Sequence, residues 1–273
     1  MCIMMRSRSS VFAIILLSIC MLIVPISALT GGPDTFGYRF IDSNSGGPAY
    51  SWIEISGTGT QSSALVSSDD NVATNIPLNF HFNYYGVDNT QIAISNNGLA
   101  FPGSGSGSWA YDNEPIATSS VHGFIAPYWD DLVTTNTGSG IYYQTLGTAP
   151  NRYFVVEWKN NAHCCSSDGG ITFEAILYEG SNNIIFQYHD VSFGSEDTDN
   201  NGASATVGIK SLGTDGLQYS FNNAVITQNL AILFQFPSGP TARVPEFPSP
   251  FLPAVTIIGF LGAVLLIQRT REH

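Results

Sequence analysis

Apolar and polar residues alternate with a period of two through the middle of the chain. Leu78, Phe80, Phe82 and Tyr84 fall on one side of an extended segment, with Asn79, His81 and Asn83 on the other. Phe154, Val156 and Trp158 repeat the pattern within 152–159, and Ile184, Phe186 and Tyr188 repeat it again. Such alternation marks a strand with one face in a core and one in water. Further strands are expected at 171–178, 205–210, 217–221 and 231–236. The run at 171–178 leads into Ile184 through Glu179-Gly180-Ser181-Asn182-Asn183, a hairpin connection rich in turn formers. Asn96-Asn97-Gly98, between Ile92-Ala93-Ile94 and Leu99-Ala100-Phe101, reads as a tight turn. No segment carries a convincing helical period. About ten short strands separated by turns predict an all-β fold, a single large β sandwich over residues 29–237.

The two ends follow another pattern. Arg6 and Arg8 precede an apolar run from Val11 to Ile26, and Ile26-Ser27-Ala28 offers small residues for cleavage. Residues 1–28 therefore read as a secretory signal peptide cut after Ala28. Phe251 to Ile267 is apolar and uncharged, close to the shortest length that spans a bilayer, and Arg269 and Arg271 follow it. It is expected to be a transmembrane helix with residues 268–273 as a basic cytoplasmic tip, which places the β-domain outside the cell. Residues 238–250 form a Pro-rich linker.

Composition sharpens the picture at two points. The chain has 27 glycines and only 11% charged residues, which suits strands and turns. Between residues 29 and 267 there are five bases (Arg39, Arg152, Lys159, Lys210, Arg243) against twenty acids, a net charge of −15. A surface of that sign disfavours nucleic acid, which needs a basic face. It fits solubility, cation binding or residence in a cell wall. No Asn-x-Ser/Thr sequon is present.

Two resemblances add to this reading. Pro245-Glu246-Phe247, the apolar run and the basic tip stand in the order of the PEF-CTERM sorting signal of archaeal surface proteins, and the last 30 residues or so resemble it. The resemblance implies an archaeosortase-like transpeptidase as partner, and exchange of the tail for a membrane lipid, as in a GPI signal. In the middle, Ile76-Pro77-Leu78-Asn79-Phe80, Tyr84-Tyr85-Gly86 and Ser95-Asn96-Asn97-Gly98 look like a β-module of secreted microbial surface proteins. Phe124 to Leu132, Gly140-Ile141-Tyr142-Tyr143, Phe154 to Trp158, Thr172 to Tyr178 and Ala205 to Ile209 are similar to the extracellular NIDO domain of nidogen and related adhesion proteins. That resemblance implies an extracellular module without known catalysis, often adhesive, and names no ligand.

Candidate chemistry is sparse. No serine sits in a nucleophile elbow, since Gly103-Ser104-Gly105-Ser106-Gly107 puts glycine where serine would stand. Asp130-Asp131 are adjacent, and neighbouring residues of a strand point to opposite faces. Asp197, Asp199 and Asn201 precede Gly202 with the alternate spacing of a calcium loop, but Gly208 stands where the loop's bidentate Glu belongs. Calcium there needs ligands from elsewhere; otherwise the segment is a polar turn. Cys164 and Cys165 are left after signal removal; two thiols or pairing with another chain are open to them, but an oxidising exterior favours a vicinal disulfide. The expected function is a non-enzymatic, envelope-anchored structural or adhesive module. A polysaccharide- or cation-binding surface protein is the alternative, and a secreted hydrolase a third reading. Exposed Trp and Tyr lining a groove would favour sugar binding.

Overall fold

The computed structural model describes residues 29–44, 46–103, 107–164, 169–194 and 197–238. The signal peptide with Ala28, the sorting motif Pro245-Glu246-Phe247, the apolar run 251–267 and Cys165 lie outside these residues. Fifteen strands occur among those described, with only two short 3-10 turns. They are β1 (Thr30–Gly31), β2 (Arg39–Asp42), β3 (Thr60–Gln61), β4 (Val72–Tyr84), β5 (Val87–Ser95), β6 (Ala100–Pro102), β7 (Phe124–Trp129) and β8 (Leu132–Val133). There follow β9 (Gly140–Leu146), β10 (Tyr153–His163), β11 (Ile171–Tyr178), β12 (Ile184–Asp190), β13 (Thr206–Lys210), β14 (Gly216–Phe221) and β15 (Ala231–Gln235). Among the described residues no helix is long and apolar enough to cross a membrane.

The strands form two antiparallel sheets, so the expected all-β class holds. The first runs β1-β2-β15-β12-β11-β10-β9-β3, with β8 also on β10; the second runs β14-β13-β7-β6-β5-β4. The apolar sets read from the sequence meet between them: Leu78, Phe80 and Phe82 from β4, and Phe154, Val156, Trp158, Phe173, Phe186 and Tyr188 from β10 to β12. Trp158 stacks on Phe173 at 5.1 Å and donates its indole N–H across the gap to Ser95 O at 2.9 Å. Tyr188 likewise donates to Pro127 O at 2.7 Å. Both polar tips are thus satisfied inside an apolar layer.

One expectation fails. The central strands are buried on both faces, not one: every residue of β7 and the first seven of β11 are buried. Long connections cover the outer faces. Residues 50–56 lie over the first sheet, where Ile55 packs on Val155 and Ile176. Residues 107–121 lie over the second, where Ile116 joins Phe101, Phe124 and Trp129. On the first sheet Glu157, Glu174 and Gln187 are cross-strand neighbours on β10, β11 and β12. The backbone N–H groups of Ile55, Ile53 and Ser51 donate to them in turn, at 3.0, 3.3 and 2.5 Å. Alternate residues of the covering segment therefore bond to successive strands through side chains.

Candidate functional site

One end of the sandwich gathers most of the chemistry-bearing residues, and the buried turn Asn96-Asn97-Gly98 organises it. Both asparagines are fully buried. Asn97 Oδ1 accepts from Leu132 N at 2.9 Å, while its amide donates to Asp70 Oδ1 and Trp109 O, both at 2.8 Å. Asn96 Oδ1 accepts from Asn71 N at 2.7 Å, and its amide donates to Leu132 O at 2.8 Å. Gly98 has φ +69, and a Cβ there would stand 1.8 Å from Tyr128 O, so no other residue fits unchanged. The turn pins the loop before β4 to the loop between β7 and β8, and both loops carry acids.

Asp69, Asp70 and Asp131 meet there, with a carboxylate oxygen from each within 4.8 Å of the others. Desolvation raises the Asp131 pKa, the Cys164 side-chain hydrogen bond opposes it, and the charges of Asp70 and Asp69 raise it further. Cys164 also donates its N–H to Asp131 O at 2.8 Å. Three convergent carboxylates are the hard-oxygen donor set that suits a divalent cation such as calcium.

Asp130 and Asp131 lie in the connection between β7 and β8 and not in a strand as expected, and Asp130 makes a separate set of contacts. Its Oδ1 lies 3.4 Å from His163 Nε2 and its Oδ2 accepts from Ser204 Oγ at 2.6 Å. His163 Nδ1 lies 3.7 Å from Asp199 Oδ2. The hydrogen bond to Asp130 raises the His163 pKa against desolvation, and the charges of Asp130, Asp199 and Asp131 add to it. Ser204 meets Asp130, whereas a hydrolytic triad needs its hydroxyl on the imidazole. Of the predicted calcium residues, Asp197 and Asp199 are linked by Asp199 N donating to Asp197 Oδ1 at 2.8 Å. The Asn201 amide donates to Ile226 O at 2.9 Å, and its backbone is left-handed at φ 62. Asp69 and Asp70 escaped sequence reading; their adjacency just before a predicted strand was the available signal.

The architecture and the site define an antiparallel β sandwich with an acidic loop end. Comparison with curated proteins and with solved structures gave no match. The family model described as NIDO related matches residues 37–241, so the chain belongs to that nidogen-related family, and its domain is of an extracellular type.

Proposed function

We propose that the protein is a non-enzymatic cell-surface module, exported and anchored at its C-terminal end, with a structural or adhesive role in the envelope of an archaeal cell. The observation that supports the extracellular-module part of this reading is the family match, which extends from β2 through the last strand, while the anchoring part rests on the tail's sequence pattern. The tail is read as a PEF-CTERM signal in which an archaeosortase-like transpeptidase recognises Pro245-Glu246-Phe247 and transfers the protein to a membrane lipid. The test combines location with mass. Membrane-impermeant labelling of intact cells should modify Lys159, and the intact mass should lack residues 251–273. Labelling that requires lysis overturns surface display; recovery of the peptide ending at His273 from most molecules overturns lipid transfer alone.

Cation binding is the second reading, favoured by the convergence of Asp69, Asp70 and Asp131. Calcium is the proposed ion, with Asp197, Asp199 and Asn201 of the neighbouring loop as the other candidate set. A non-ideal oxygen shell of this kind gives affinity in the extracellular range of about 10⁻⁴–10⁻³ M.

A further inference from the structure

Segment 107–121 hides one set of side chains and displays another. Ile116 is buried against the second sheet, while Trp109 is 54% and Tyr111 40% exposed. Both rings line one cleft, and contiguous exposed apolar surface rimmed by polar residues marks binding sites. Here the display is held in place from below. Asn97, fully buried, donates to Trp109 O at 2.8 Å, and the indole of buried Trp129 donates to Ala110 O at 2.8 Å. Two interior donors thus fix the backbone between the two rings, which lowers the ordering cost of binding.

The chemistry around the rings is polar and anionic. Trp109 and Tyr111 line a cleft of about 260 Å³ together with Ser108, Asp112, Glu114 and Ser120. Ser120 Oγ donates to Glu114 Oε1 at 3.1 Å and the Ser120 N–H donates to the other oxygen, which orients the carboxylate. Desolvation pulls the Glu114 pKa up, but the Ser120 and Ser119 hydrogen bonds and the charge of Lys210 hold it below its ordinary value, so it is ionised in neutral solution. An adjoining depression of about 450 Å³ shares Ser108 and Ser120 and reaches His122, so the groove exceeds one ring in length.

We propose that this groove binds an uncharged polysaccharide, with pyranose rings stacked on Trp109 and Tyr111 and hydroxyls donating to Asp112 and Glu114. The aromatic faces take the apolar C–H face of a sugar, and carboxylate oxygens accept its hydroxyls. The acidity of the domain excludes anionic polymers. The proposal rests on the reading of the protein as a surface module and gives that module a ligand.

The experiment is affinity electrophoresis of the purified full-length protein in gels containing neutral glucan, mannan, galactan or xylan, or anionic polygalacturonate. At least one neutral polymer should retard the protein and polygalacturonate should not. Trp109→Ala should weaken retardation about tenfold, the worth of a stacked ring, and Tyr111→Ala severalfold, both with an unchanged melting temperature. Trp109→Phe should retain part of the binding. No retardation by any neutral polymer, equal retardation by polygalacturonate, or full binding by Trp109→Ala overturns the proposal. Trp109-dependent binding of a proline-rich peptide in place of the glycans overturns the ligand class. Surface labelling of intact cells is read separately, so failure of the ligand and failure of the surface role remain distinct.

Discussion

Replacing Glu174 by Gln should stabilise the sandwich at pH 8 and flatten its dependence on pH. Glu157 and Glu174 are both fully buried beneath residues 50–56. Each accepts a backbone hydrogen bond from that segment, and Gln187 Nε2 donates to Glu174 Oε1 at 2.7 Å. Glu157 Oε1 and Glu174 Oε2 have no hydrogen-bond partner among the described residues. Burial pushes Glu174 up to about 9; the Ile53 N–H and Gln187 oppose this, and the charges of Glu157 and Glu54 add to it. Burial likewise pushes Glu157 up to about 7, with the Ile55 N–H and Lys159 opposing and Glu54 adding. Below the ordinary value of 4.5 the native and unfolded states both hold these protons, and nothing is lost. Above it the unfolded chain releases protons that the native state keeps, and stability falls by about 1.4 kcal/mol per pH unit per group until the native pKa is passed. For Glu174 at pH 7 the loss is at most about 3.5 kcal/mol, worth roughly 7–14 °C in a domain of this size. Gln keeps an acceptor for Ile53 N–H and cannot ionise. Thermal unfolding followed by circular dichroism at unit steps from pH 5 to 9 measures the effect. His163 contributes a slope of the same sign, since its raised pKa gives stability that is lost as pH rises. The informative quantity is therefore the difference between Glu174→Gln and wild type, which should grow from pH 5 to 9. A difference independent of pH would refute the reasoning.

Three further outcomes are expected. Gly98→Ala forces a Cβ against Tyr128 O at a positive φ and should cost about 3 kcal/mol or more in chemical denaturation; a change below about 1 kcal/mol would show that the turn relaxes easily. Calcium should raise the melting temperature more than magnesium, by a few degrees at millimolar concentration, and Asp70→Asn with Asp131→Asn should abolish that gain if these acids are the ligands. If Asp197→Ala with Asp199→Ala abolishes it instead, the neighbouring loop holds the ion, and an equal response to magnesium means only charge screening. Non-reducing peptide mapping of surface-derived protein should find Cys164 and Cys165 joined within one peptide, and complete alkylation without reductant would count against it.

Much of the fold was legible because a strand's side-chain period is local. Leu78 to Tyr84, Phe154 to Trp158 and Ile184 to Tyr188 all face the core they announced. The turn at Asn96-Asn97-Gly98 was legible as a turn, and its burial was not. The polar pattern of Asn96 and Asn97 suggests solvent, whereas their amides satisfy loops at 70–71, 109 and 132 that are distant in sequence. Glu157 and Glu174 misled for the same reason. They occupy what alternation marks as the wet face, and only the crossing of residues 50–56 makes it dry. At the acidic end, Asp130 and Asp131 lie in a connection to which the strand argument does not apply, while Asp199 was legible as a candidate. Its meeting with His163, and that of Asp131 with Asp69, depends on contacts no local pattern encodes.

The last strand has a mechanical meaning. β15 lies between β2 and β12, antiparallel to both, with four residues in register on each side. Tension directed along the axis of β15 would load the two ladders together in shear, and they would not peel apart one bond at a time. β2 belongs to the opening of the domain, so a pull at its end is resisted by strands from both extremities of the fold. A module tethered at this point and gripped elsewhere on its surface would transmit force through a strand that is held on both sides.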